Sequence, residues 1–150
     1  MRHRLRRLFQ TQAGSAVHEF ALTAPVLMLI MVGAIDFGRS FYHSIAISNA
    51  AGTAAFFGSQ SIMKSGHSTD MTTLARNDAA DIGTVTVSSA RVCRCPDGAS
   101  VRCVSGTCRG YGSPRVYVRC DVSRIFDTMI NLSKVPDLFT IRRQVWMRVQ

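Results

Sequence analysis

From Phe20 to Ile35 the chain reads FALTAPVLMLIMVGAI, an uncharged run bounded by Glu19 on one side and Asp36 on the other. A bilayer core of ~30 Å takes roughly 17 to 25 helical residues. With Ala16, Val17, Phe37 and Gly38 counted in, the run reaches that length and predicts a single membrane span. The start of the chain, MRHRLRR, is Arg-rich and has no acidic residue. The positive-inside bias therefore holds the N-terminus in the cytoplasm and sends everything after Asp36 across the bilayer. A secretory signal peptide is the competing reading. It needs an apolar stretch of ~7 to 15 residues followed by a small-x-small cleavage site, and Ala46, Ser48 and Ala50 offer one.

The residues beyond the span argue against a cleaved signal. Segment 36–57 has no proline, carries Phe37, Phe41, Ile45, Gly52 and Phe56 near one helical face, and turns Ala-rich toward Gly58. That pattern continues a helix. From Phe20 to Phe57 it measures about 57 Å at ~1.5 Å per residue, nearly twice the bilayer core, so half of it projects outward. Pro25 removes one backbone donor inside the membrane, which helical neighbours in lipid can tolerate.

Composition sets the remaining bounds. The 150 residues carry 18 Lys plus Arg against 9 Asp plus Glu, a formal net charge of +9. One small basic chain follows, and a large multidomain enzyme is excluded. Four of those cations, Arg2, Arg4, Arg6 and Arg7, precede Gly14; without them 14 positive charges face 9 negative ones and the net falls to +5. Part of the basic character is thus a leader.

Directly before the span, Gly14 stands five positions ahead of Glu19, which is followed by Phe20 and the apolar run. A glutamate there is awkward, since an ionised carboxylate in the bilayer interior costs at least ~2.5 kcal/mol on insertion scales. Cleavage after Gly14 supplies a partner. The new Ser15 amine, with a reference pKa of ~7.7 to 8.0, is mostly cationic at neutral pH and can meet the Glu19 carboxylate of an adjacent subunit. Such a pair fixes axial register, because a slipped subunit leaves both charges unpaired in a low dielectric. The plainer alternative is an interfacial glutamate that merely ends the span.

The basic leader, Gly14, Glu19-Phe20, the run ALTAPVLMLIMVGAIDFGRSF and a later cysteine-rich loop resemble the TadE-like minor pseudopilins of tight-adherence (Flp-type, type IVb) pili. The resemblance is strongest over residues 14–58. It implies a bacterial inner-membrane protein of single pass with a periplasmic C-terminal domain, reaching the pilus after assembly. It implies a prepilin peptidase cutting between Gly14 and Ser15, and recognition or assembly through Glu19 and Phe20. Phe20 stands where major pilins of such systems carry tyrosine. At 150 residues the chain exceeds the very short major pilin, so the minor role follows. The implied partners are other pilins and pseudopilins, membrane lipid, and an inner-membrane assembly platform with its ATPase; no P-loop is present in this chain.

The outer part is predicted as α+β: the projecting helix packed on a small three-stranded antiparallel sheet with a disulfide-rich loop. The division is a leader (1–14), the transmembrane and projecting helix (15–58), a linker and short helix (59–82) and the sheet domain (83–150). The polar stretch 59–70 reads as the linker, followed by a helix over Met71–Asp81. Alternation marks strands at Thr84–Val92, Arg115–Val122 and Phe139–Val149. Ile125, Phe126, Met129 and Ile130 at helical spacing before Pro136 predict a short helix or packed loop over one sheet face. Three strands need another layer to bury their apolar face, and the projecting helix supplies it.

Cys93, Cys95, Cys103 and Cys108 crowd a connection longer than structureless loops usually run. Cys93 and Cys95 are too close to bond each other without strain, so each pairs with Cys103 or Cys108. A nested arrangement, Cys95 with Cys103 and Cys93 with Cys108, suits the Pro96-Asp97-Gly98 turn. Cys120 is expected as a buried free thiol. A zinc site is the rival, but the C-x2-C knuckle spacing is missing, and neither metal nor cofactor is expected. His18, His43 and His67 fall at the membrane edge, on the helix and in the linker, so no base is poised near Cys120. Arg91, Arg94, Arg102, Arg109, Arg115, Arg119 and Arg124 make the outer domain basic. An exported domain rarely meets nucleic acid, so a solvated face or contact with acidic surface polymers is expected. Trp146 and Tyr117 are expected to pack on the sheet. The sequence thus reads as an assembly protein rather than an enzyme, the alternative being a secreted or anchored envelope domain with a binding role and no pilus.

Overall fold

A computed structural model describes residues 13–129 and 138–150. The leader through residue 12 and the segment 130–137 lie outside the described residues. The chain divides between Gly38 and Arg39 into two units. The first helix, α1 (Ala13–Ser59), includes Pro25.

In the first unit α1 presents large apolar side chains outward. Val17, Phe20, Leu22, Val26, Leu27, Met28, Leu29, Ile30 and Met31 are all more than half exposed. Thr23 lies two positions before Pro25 and donates its hydroxyl to the Glu19 carbonyl at 3.1 Å and that of Phe20 at 3.2 Å.

The second unit is α+β. Past Arg39, α1 buries Ile47, Ala50, Ala51, Ala54 and Ala55 completely, a stripe at three- and four-residue spacing. The face that carries Phe41, Ile45 and Phe56 is exposed. Small side chains explain the choice, because they let a helix approach a sheet closely where phenylalanines would hold it away. At Gly58 even a Cβ would collide with the Met71 sulfur and sit 3.1 Å from both Val118 methyls. A helical turn, α2 (Ile62–Ser65), follows, its Lys64 amide donating to the Ser61 hydroxyl at 3.2 Å. Next comes α3 (Ser68–Asp78), which buries Met71 and Ala75, and a 3-10 turn over Ala80–Ile82.

The sheet contains β1 (Thr86–Arg94), β2 (Ser100–Val101), β3 (Arg115–Asp127) and β4 (Leu138–Arg148), in the order β2-β1-β3-β4 with every neighbour antiparallel. Four strands replace the three expected; β2, two residues long, was too short to show alternation. The predicted helix at Ile125 and Phe126 is also corrected, since both lie on β3, which runs to Asp127. Continued pairing with β4, Ile125 to Thr140 and Phe126 to Phe139, satisfies the backbone there. Ile130 and Pro136 lie outside the described residues. Val118, Cys120, Val122 and Phe126 alternate into the core beneath α1 and α3, with Ile82, Val85 and Ile141 completing it. Burying each large apolar side chain stabilises the fold by about 1.5–3 kcal/mol.

The disulfides are Cys93–Cys103 and Cys95–Cys108, with Cα separations of 5.1 and 5.5 Å. The pairing is crossed, not nested. Register decides it: β2 places Val101 opposite Cys93, so Cys103, two residues on, returns to the same side of the ladder as Cys93. Cys95 lies past the end of β1, where its amide donates to the Ala99 carbonyl at 2.9 Å across the Pro96-Asp97-Gly98 turn. Gly98 adopts a φ of 87°, open to glycine at little cost.

Candidate functional site

The sequence-derived residues fall in two places. Gly14, Ser15, Glu19 and Phe20 occupy the first turns of α1. In a helix, positions 15 and 19 are one turn apart on one face. Phe20 is two-thirds exposed. Exposed apolar surface runs from Val17 along α1, which is the one helix among the described residues long and apolar enough to cross a membrane. Cys93, Cys95, Cys103 and Cys108 belong to the second unit, where each sulfur is bonded to another sulfur. The zinc alternative thereby loses its thiolate ligands. Among the described residues no three His, Cys, Asp or Glu side chains gather as a metal site.

Residues 14–55 match the family model described as TadE-like protein. That segment of the chain is TadE-like. No curated protein and no solved structure matches the chain significantly. The TadE-like segment starts at Gly14, includes Glu19 and the whole apolar run, and ends at Ala55, inside the buried alanine stripe.

The second unit brings together groups that the sequence named only singly, and adds Tyr42, Asp81, Asp121, Arg142 and Gln144. Just beyond the apolar run, the Tyr42 hydroxyl donates to an Asp81 carboxylate oxygen, which raises the tyrosine pKa through that hydrogen bond and the neighbouring charge. His43 packs edge-on against Phe126 with ring centroids 5.3 Å apart. Burial pushes its pKa below the usual value, and the Arg124 and Arg39 guanidiniums push it further down. Arg39 lies over the Phe126 ring at 5.4 Å.

On the sheet face away from the core, Asp121 is buried and accepts from Arg142 Nη2 at 2.9 Å and Gln144 Nε2 at 2.8 Å, with Arg119 Nε 3.1 Å away. Trp146 donates its indole N–H to Gln144 at 2.8 Å and carries the Arg94 guanidinium over its ring at 4.6 Å. Tyr117 is half-buried on the same face. Cys120, on the core side, is a buried free thiol. Burial, and secondarily the Asp121 charge, push its pKa to about 11 against a hydrogen bond from Ser89. A thiol held protonated in this way is a weak nucleophile. The signal for Tyr42 and His43 was their place about two turns past Asp36; the signal for the Trp146 cluster was the pair of arginines flanking the cysteine-rich loop.

Proposed function

We propose that this protein is a minor pseudopilin of a tight-adherence pilus system, inserted once in the bacterial inner membrane with its sheet domain in the periplasm, and that it acts in assembly rather than catalysis. The observation that carries the reading is the TadE-like segment from Gly14 through the apolar run. A prepilin peptidase cuts between Gly14 and Ser15, and the freed Ser15 amine pairs with Glu19 of a neighbouring subunit, with Phe20 beside it. Extraction from the bilayer falls to an assembly platform and its ATPase, and the subunit then packs among other pilins and pseudopilins.

Two features of the helix support this. The large apolar side chains of residues 17–31 are exposed, which suits lipid first and other helices afterwards. The exposed Phe41, Ile45 and Phe56 continue an apolar face past the membrane, where only another protein surface can cover it. A secreted domain released near Ala46–Ala50 fits less well, because that cut removes the fully buried Ile47 from the core.

N-terminal mass mapping of the protein from its native host tests the proposal. A start at Ser15 agrees with it; a start near Asn49 or Ala51, or an intact Met1 in assembled pili, contradicts it. Glu19→Ala is expected to insert normally yet enter pili at least ~10-fold less, the loss of one desolvated charge pair; pilus fractions blotted for both forms measure this.

A further inference from the structure

The sheet face away from the core gathers arginines faster than it balances them. Arg94 and Arg115 are directly opposite each other on β1 and β3, and Arg148 faces Tyr117 on β4 one step along the same face. Like charges in directly opposed positions destabilise a sheet. The one buried carboxylate nearby, Asp121, is taken by Arg142, Gln144 and Arg119. Arg94, Arg115 and Arg148 have no acidic partner within ion-pair distance among the described residues.

Arg94 and Arg115 line a cleft of about 430 Å³ with Cys95, Pro96, Tyr117 and Trp146, within the ~300–1,000 Å³ usual for ligand sites, and Arg148 is paired with the lining residue Tyr117 across β3 and β4. Its walls are fixed: the Cys95–Cys108 bond holds the loop side, and β3 and β4 hold the floor. The Trp146 ring is covered by the Arg94 guanidinium at 4.6 Å. It is therefore a shelf that orients a cation, not an open platform on which a base can stack.

We propose that this cleft and the adjoining arginines bind a carboxylate-bearing polysaccharide, the guanidinium forks taking successive carboxylates. An arginine fork pairs bidentately with a carboxylate, as it does with a phosphate, and cations on β1, β3 and β4 suit a repeating acid rather than a single small one. A second copy of this chain is a poor occupant. From Arg39 onward the sequence has 14 Lys plus Arg against 7 Asp plus Glu, so two such surfaces repel. The preference for a glycan over nucleic acid rests on export of this domain; the site itself does not depend on cleavage after Gly14.

Binding is tested with the full, unprocessed chain in a neutral detergent, using polygalacturonate as probe, with uncharged dextran and a single-stranded DNA oligonucleotide beside it. We expect polygalacturonate to bind, dextran not to, and affinity to fall as salt rises. The double variant Arg94→Gln/Arg115→Gln is expected to weaken binding at least ~10-fold with unchanged far-ultraviolet circular dichroism. Arg102→Gln, outside the cleft, is expected to leave it within about twofold, as for surface charges away from a site. No polygalacturonate binding, equal binding by the double variant, or tighter binding of DNA than of polygalacturonate overturns the proposal. Because no processing enters the assay, those results leave the pseudopilin reading standing or falling on its own mass mapping.

Discussion

The two stretches of α1 on either side of Gly38 are both apolar, yet they solve opposite problems. Before the boundary the helix carries Val, Leu, Met and Ile, and these are exposed; after it the buried stripe is Ile47 and four alanines. Large, flexible side chains give wide contact with a fluid environment, where close fit is not required. Small ones let the backbone lie near β3, where Val118, Cys120 and Val122 already fill the space. Hydrophobicity alone does not distinguish the two stretches. Side-chain volume does, and it says which one is to be covered by the protein's own sheet.

The contrast can be broken hardest through the covalent ties of the sheet side. Replacing Cys93, Cys95, Cys103 and Cys108 by serine removes two crosslinks, each contributing about 2–4 kcal/mol. The cooperative melting of the second unit is expected to vanish or drop steeply, while helicity of the TadE-like stretch persists in micelles; circular dichroism with thermal scans separates the two. Next in size, Gly58→Leu forces bulk into the seam against Met71 and Val118 and is expected to destabilise the second unit by about 1–3 kcal/mol, read from the urea midpoint.

A smaller effect comes from His43. Its folded-state pKa lies below the unfolded value of ~6.5, so the unfolded chain binds the proton more readily. Stability is then full above pH ~6.5 and declines as pH falls through that value toward the lower folded one. A melting temperature that decreases below pH 6.5, with a flatter profile in His43→Gln, is the expected outcome. Smallest of all, Leu27→Ala trims a 56% exposed side chain and is expected to leave the melting of the second unit within about 0.5 kcal/mol of the parent. A larger shift would mean that the exposed stretch and the sheet unit stabilise each other.

Much of this fold is legible in the residues themselves. The uninterrupted helix follows from the proline-free, Ala-rich segment after Asp36, and β1, β3 and β4 follow from alternation such as Val116, Val118, Cys120 and Val122. What escaped was set by tertiary context. Ile125 and Phe126 have helical spacing with Met129, but pairing with β4 keeps them extended. Ser100 and Val101 are too few to alternate, and without β2 the register that joins Cys93 to Cys103 was invisible. The sequence reading left open which face of α1 meets the sheet; the alanine face does, through closeness of approach. For the proposed cleavage and assembly positions, the place of Gly14, Glu19 and Phe20 beside an apolar run is a local signal, readable in one window of sequence. The Trp146 and Arg94 cleft is assembled from three strands and a crosslinked loop, and no window of sequence contains it.

The sealed thiol of Cys120 gives this molecule its own clock. With its sulfur at 0% exposure for the residue and an acidity shifted to about 11, an alkylating reagent can attack only during moments when the layers part. The other four cysteines are already spoken for in the oxidised state. The pace at which a single mass increment accrues therefore counts how often β3 is laid bare, subunit by subunit, without any introduced label.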